Sequence, residues 1–191
     1  MILPEISEGE TMKILILNGS PRLKGNTSYA LSAIADGISK NTGHEVEILN
    51  VTRLKVSGCV ACGACAKNGG DCIMKDDTKS VIDKIYAADF VIFGSPVYYF
   101  GISAQLKAVL DKFHSRSALF KNQSKKLGVV AVGADPLTER QYGLIDEHFD
   151  CVCEYLGWEK VFSLSYSAAE PGELQKSQSA ERELADVWKV L

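Results

Sequence analysis

Residues 12–28 read MKILILNGSPRLKGNTS, and this stretch decides the fold. Its opening is a strand-sized apolar run. Asn18, Gly19, Ser20 and Pro21 then supply turn chemistry, so a buried strand feeds a loop. Beyond the loop, Ala30, Leu31, Ile34, Ala35 and Ile38 recur at helical spacing until Thr42 and Gly43 stop the run. The alternation continues down the chain. Strands are expected at 45–51, 89–93, 126–133 and 159–164, and helices at 104–113 and 141–156. A further helix carries Val81, Ile82, Ile85 and Tyr86, with Asp76, Asp77 and Thr78 as its cap. The helix at 141–156 is expected to turn Leu144, Ile145, Phe149, Val152 and Leu156 inward. Glu170 and Pro171 read as the start of a last helix with Leu174, Leu184, Val187, Trp188 and Leu191 as its apolar positions. Nearly continuous apolar strands separated by helices predict an α/β fold, a parallel sheet covered on both faces. Such sheets take their ligands outside the carboxyl ends of the strands.

The 191 residues fit one core, so the expected organisation is an N-terminal extension at 1–11 followed by one domain at 12–191. Lys and Arg number 21 against 24 Asp and Glu, a formal charge of −3, and no basic block marks a nucleic-acid partner. No apolar run reaches the roughly 18 residues of a membrane span, so no membrane partner is expected. The first eleven residues hold Glu5, Glu8, Glu10 and Pro4 but no Lys or Arg, which is unlike a secretory leader. Met12 reads as a natural start, and a cytoplasmic location is expected.

Between the first strand and the first helix, the loop aims free amides and a helix N-terminus at one spot, an arrangement suited to an anion. Ser20, Asn26, Thr27 and Ser28 add hydroxyl or amide donors, and Arg22 can fork onto a phosphate. The same residue types also make an ordinary polar turn. Neither the dinucleotide glycine fingerprint nor a Walker loop is present.

Residues 59–72, CVACGACAKNGGDC, place Cys59, Cys62, Cys65 and Cys72 on one segment with Gly58, Gly63, Gly69 and Gly70 around them. Four-thiolate sites hold zinc or an iron–sulfur cluster, and a soft loop can equally carry free thiols. Cys151 and Cys153 lie two apart on a helix and are expected to be buried structural thiols. His44, His114 and His148 are expected at the surface or in packing, and no catalytic acid–base residue is assigned.

Three segments, NGSPRLKGNTS at 18–28, the cysteine segment running into MKDD at 74–77, and ADFVIFGSPVYYFGISAQLKAVLDK at 88–112, together resemble the flavodoxin-like NAD(P)H-dependent FMN reductases, and among them the iron–sulfur flavoproteins. The resemblance implies a flavodoxin-like doubly wound five-stranded parallel sheet in the order 2-1-3-4-5, with FMN at its carboxyl edge. The first loop would hold the FMN phosphate. Pro96, Val97, Tyr98, Tyr99, Phe100 and Gly101 would line the isoalloxazine, and Gly133, Ala134 and Asp135 would approach its far side. Such a flat ring suits an aromatic wall with a few backbone amides. The resemblance also implies a [4Fe-4S] cluster on the four cysteines, NAD(P)H as electron donor, and a quinone, flavin, protein or metal ion as acceptor. An electron carrier serving a ferredoxin-like partner is the alternative, and a flavin-binding or zinc-stapled regulatory module a third reading. A homodimer or tetramer is expected, with the aromatic loop near the interface.

Overall fold

The computed structural model describes residues 11–191, so all but the last residue of the extension expected at 1–11 lies outside the described residues. Five strands, β1 (Lys13–Asn18), β2 (Glu45–Asn50), β3 (Phe90–Pro96), β4 (Lys126–Gly133) and β5 (Glu159–Ser167), form one sheet in the order β2-β1-β3-β4-β5. Every pairing is parallel, with Ile16 set between Ile48 and Ile92. This is the flavodoxin-like doubly wound topology that the resemblance implies.

Strand side chains alternate between the sheet faces, so each central strand feeds two cores. Leu15, Leu17, Val91 and Phe93 enter one, with α2 (Thr78–Ala87), α3 (Ala104–Asp111) and α5 (Arg140–Leu156). Ile14, Ile16, Phe90 and Ile92 enter the other, with α1 (Asn26–Asn41) and α6 (Gln178–Ala185). An aromatic chain consolidates the first: Phe93 and Phe149 lie 4.9 Å apart between ring centres, Phe113 and Phe120 5.0 Å, and Phe120 meets Trp158 edge-on at 5.4 Å. The Trp158 indole donates to the Phe120 carbonyl at 3.1 Å, so its one polar atom is satisfied inside the core.

Several boundaries differ from the sequence reading, each for a local reason. β3 runs on to Pro96 and β5 to Ser167, because pairing with β4 extends through Val132 and Gly133. α3 ends at Asp111, and the chain tightens through a 3-10 segment, Lys112–Arg116, before a single turn, α4 (Ser117–Phe120). The last helix does not begin at Glu170: residues 170–173 are a turn, and α6 starts at Gln178, where the Ser177 hydroxyl accepts from the Ala180 amide at 3.3 Å. Leu144 is exposed, and Gln141, Tyr142 and Cys153 take up the buried stripe of α5 instead. Of the two helical cysteines only Cys153 is buried. Cys151, one position off that stripe, faces solvent.

α1 and α6 approach until a Cβ on Gly37 would stand 2.4 Å from the Ala185 carbonyl oxygen. In an open helix, Gly→Ala gains up to about 1 kcal/mol of propensity. Here the backbone of α6 must move, so Gly37→Ala should lower stability by about 1–2 kcal/mol. Gly43→Ala, where nothing lies within 4 Å of the added methyl, should stay within about 0.5 kcal/mol. Urea denaturation of both variants checks the contrast, and equal midpoints would contradict the close approach.

Candidate functional site

The strand order reverses between β1 and β3, and the chains leaving these two strands bound a crevice at the carboxyl edge. They are locked together at its floor. The Gly19 amide donates to the Gly94 carbonyl at 2.8 Å. A Cβ on Gly19 would stand 2.8 Å from Ser103 Oγ, and one on Gly94 would stand 2.4 Å from a Leu31 methyl. Buried Ser103 accepts from the Leu106 amide to cap α3, and its own amide donates to Ser95 Oγ at 2.8 Å. Both loops are therefore fixed relative to the sheet.

The loop after β1 is shaped from within. Asn18 Oδ1 accepts from the Ser20 amide at 3.0 Å, and its Nδ2 donates to Ser28 Oγ at 2.9 Å and to Asn50 Oδ1 at 2.8 Å. Ser28 Oγ donates onward to the Arg22 carbonyl at 2.9 Å, while Ser20 Oγ accepts from the Arg22 amide at 3.2 Å. Asn26 reaches much further: its Nδ2 donates to the carbonyls of Ala168 and Glu170 at 3.2 and 2.9 Å, and its Oδ1 accepts from the Leu174 amide at 3.3 Å. The side chains of Ser20, Asn26 and Ser28, read from sequence as ligand donors, are thus engaged in holding the loop and the segment after β5. The amides of Asn26, Thr27 and Ser28 have no acceptor among the described residues, because the N-cap of α1 is Gly25, which has no side chain to cap them. With exposed Arg22 and the Thr27 hydroxyl, they present positive character to one place.

Across the crevice, the Val97 amide donates to the Val132 carbonyl at 2.9 Å, and the chain then reverses sharply. Tyr98 and Gly101 exchange main-chain hydrogen bonds at 2.9 and 3.1 Å, leaving Tyr99 and Phe100 at φ of 45° and 65°. A two-residue turn with both central residues at positive φ ordinarily takes Asn-Gly. Here two aromatic residues hold it. Tyr99 is fully exposed at 101% and Phe100 at 64%, so among the described residues no burial offsets the strain. Pro96 is half-buried as the last residue of β3, and Gly101 closes the turn.

The third wall follows β4. A Cβ on Gly133 would stand 2.6 Å from the Tyr142 hydroxyl, which donates to the Asp135 carbonyl at 2.6 Å. Gln141 Nε2 donates to Asp135 Oδ2 at 3.0 Å, so Asp135 is anchored to the start of α5 while Ala134 stays exposed. Burial pushes the Tyr142 phenol above its usual range, so it remains a donor at neutral pH. Gln141 and Tyr142 were not legible as site residues. Their role depends on a contact with the preceding loop that no spacing announces.

The cysteine segment is a loop closed at its base. The amide of Asp77 donates to the Lys55 carbonyl at 2.9 Å, and Asp77 Oδ2 accepts from the Lys55 amide at 2.7 Å. Asp76 accepts from the amides of Ser57 and Thr78 at 2.9 and 3.0 Å, so Asp76 and not Asp77 satisfies the first turn of α2. Positive φ occurs at Ala61, Gly63, Gly69 and Gly70, which lets the loop fold back sharply. Arg116 joins Asp71 and Asp83 at 2.5 Å each and lies over the Tyr86 ring, pinning the far end of the loop to α2. Cys59, Cys62, Cys65 and Cys72 all line one small pocket, with Val60, Ile73 and Met74, and with Lys112 and His114 from the segment after α3. His114 is thereby placed beside the thiols. His44 accepts from the Met12 amide through Nδ1 at 3.3 Å, and His148 stacks on Phe149. Among the described residues no three His, Cys, Asp or Glu side chains converge as one metal ion requires.

Relief of the turn strain should be measurable: Tyr99→Asn with Phe100→Gly should raise the unfolding free energy by about 1–3 kcal/mol in urea denaturation. An unchanged midpoint would show that the turn carries no strain. A second expectation concerns acid. Burial pushes the Asp76 carboxyl up, but the Thr78 and Ser57 hydrogen bonds outweigh it and hold the group at about 2. Because the folded value is depressed below the roughly 3.9 of an unfolded chain, its stabilisation is full above that value and disappears as pH falls through about 2. Asp76→Asn should therefore flatten the stability profile between pH 5 and about 2, in guanidinium titrations, relative to the native chain.

Comparison with known proteins agrees with this geometry. An iron–sulfur flavoprotein of Methanocaldococcus jannaschii is 37% identical over 123 residues, covering 64% of this chain and 63% of that protein. One of Archaeoglobus fulgidus is 39% identical over 111 residues, covering 58% of this chain and 52% of its own length. The chain thus matches between about half and two thirds of the length of these relatives. An NAD(P)H:quinone oxidoreductase from Methanothermobacter marburgensis superposes with a TM-score of 0.71 at 16% identity, over 94% of this chain and 96% of that one, which shows the common fold. Residues 12–146, well over half the chain, match the family model of the NADPH-dependent FMN reductases, and the protein belongs to that family.

Proposed function

We propose that this protein is an oxidoreductase that binds FMN in the crevice between the loops after β1, β3 and β4, accepts electrons from NADH or NADPH, and passes them to a quinone, flavin, protein or metal ion. One observation carries the reading: at the switch point, three uncapped amides of α1 face a crevice whose opposite wall is a strained, outward-facing aromatic turn. Anionic phosphate suits the first and a flat conjugated ring the second. Bound FMN would supply hydride acceptance from the nicotinamide.

The chain's own residues have separable parts in this. Asn26, Thr27 and Ser28 would hold the phosphate through their amides, with Arg22 adding charge. Ser20 and the side chains of Asn18, Asn26 and Ser28 keep the loop in shape. Pro96, Val97, Tyr98, Tyr99, Phe100 and Gly101 would face the ring on one side and Gly133, Ala134 and Asp135 on the other. Tyr98, Tyr99 and Phe100 leave an exposed apolar patch that a second copy would cover, giving a homodimer or tetramer.

A second reading has its own support. The four cysteines lining one pocket favour an iron–sulfur flavoprotein, in which Cys59, Cys62, Cys65 and Cys72 would hold a [4Fe-4S] cluster and a ferredoxin-like protein would be the electron partner. Among the described residues no helix is long and apolar enough to cross a membrane.

Titration of apoprotein with FMN and with riboflavin, which lacks the phosphate, tests the site. Arg22→Ala should weaken FMN by about 1.5–3 kcal/mol, tenfold or more, and leave riboflavin unchanged. Adding Asn26→Ala should weaken both by loosening the loop. Anaerobic oxidation of NADH or NADPH by the FMN-loaded protein then separates the two readings, since an electron carrier for a ferredoxin-like partner would not oxidise either. Equal FMN affinity in all forms would overturn the site assignment.

A further inference from the structure

Lys112 is 2% exposed, yet it has no carboxylate partner among the described residues. The polar contact of its Nζ is Cys72 Sγ at 3.8 Å. The acids nearest to this place are already matched: Asp111 with Lys107, and Asp71 with Arg116 and Lys79. A buried ammonium is costly unless an anion compensates it, and a long contact to a neutral thiol compensates poorly. A methionine of similar volume would fill the same space at less cost. The position therefore calls for negative charge on the sulfur side, and a thiolate bound to iron supplies it.

We infer that Lys112 is a positioning residue for the cysteine site: its buried ammonium, set against Cys72, offsets the negative charge of a four-thiolate iron–sulfur cluster and favours the reduced state of that cluster. The inference rests on the [4Fe-4S] reading above. Four thiolates around an iron–sulfur core leave the assembly anionic, and reduction adds one further electron without making or breaking a bond. A fixed, buried cation stabilises the more negative form more strongly, because its attraction scales with the charge it faces. Val60, Ile73 and Met74, which line the same pocket beside the thiols, supply no competing charge. Neighbouring charge and hydrogen bonding to the sulfurs are among the protein's means of setting cluster potentials. Lys112 lies on the segment after α3 and not on the cysteine loop, so the loop and the sheet scaffold meet at this contact.

The test uses full-length protein reconstituted anaerobically with iron and sulfide, with bound FMN as the check on folding. Iron content is measured first, then the cluster midpoint by dye-mediated titration followed by electron paramagnetic resonance. Lys112→Met should keep FMN and shift the midpoint negative by tenfold or more in the one-electron equilibrium, about 59 mV. Lys112→Arg, which keeps the charge, should remain near the native midpoint. Loss of iron in Lys112→Met with retention in Lys112→Arg would equally support a charge that holds Cys72 in place. The same midpoint in native and Lys112→Met protein at equal iron content would overturn the inference and leave the cluster reading standing. Loss of iron in both variants with FMN retained would also overturn it, since packing and not charge would then matter. No iron uptake by the native protein would overturn the cluster reading itself, and this inference with it.

Discussion

The crevice depends on the absence of two side chains. Where β1 and β3 release their chains, Gly19 and Gly94 are pressed together by one 2.8 Å hydrogen bond, and Ser103 and Leu31 occupy the space that a Cβ would need. A methyl at either place would have to move the cap of α3 or the inner face of α1. The first loop and the aromatic turn therefore leave a common floor in fixed directions, and the space between them is set by the backbone. Preorganisation of this kind lowers the ordering cost that a ligand must otherwise meet on binding.

Inner-sheet strands were legible because both of their faces are buried, which makes their sequences continuously apolar, as in ILIL and FVIF. The turn after β1 was legible for a related reason: an Asn followed by Gly-Ser-Pro is a local signal, and Asn18 does accept from the Ser20 amide. What was not legible rests on distant contacts. Asn26 has the composition of a ligand donor, but its side chain serves carbonyls and an amide 142 to 148 residues away. Pro171 looks like the first residue of a helix, whereas the segment from Ala168 to Leu174 is held open by that same asparagine and the helix waits for the Ser177 cap. Leu144 has the spacing of a core residue on α5. The stripe is rotated because Gln141 and Tyr142 are drawn inward by Asp135.

Two loops on this scaffold are stabilised in opposite ways. The cysteine loop is long, and its closure entropy is offset at the base by carboxylates taking main-chain amides and at the far end by Arg116. Those contacts are local ion pairs and hydrogen bonds, so the loop holds its shape while four thiols remain at its surface or half-buried in it. The aromatic turn is short and closed by two main-chain hydrogen bonds, with its strain concentrated at Tyr99 and Phe100. Among the described residues nothing covers these rings, so their burial gives no compensation for the unfavourable φ values.

That contrast bears on what each loop presents at the surface. A turn that keeps two exposed aromatic rings at positive φ spends stability on presenting them, and sequences under no such demand place Asn-Gly there at lower cost. The cysteine pocket meets the scaffold through Lys112 and His114, which follow directly from α3, and the cap of α3 is Ser103, two residues after the aromatic turn closes. One short helix thus joins the two features: its start is fixed by Ser95 and Gly19 at the floor of the crevice, and its end delivers a cation to the thiols. α3 spans only Ala104–Asp111, and its buried stripe of Leu106, Val109 and Leu110 belongs to the core on that face of the sheet. The crevice at the carboxyl edge and the cysteine pocket are thereby joined through one packed helix, a more rigid connection than a loop would provide.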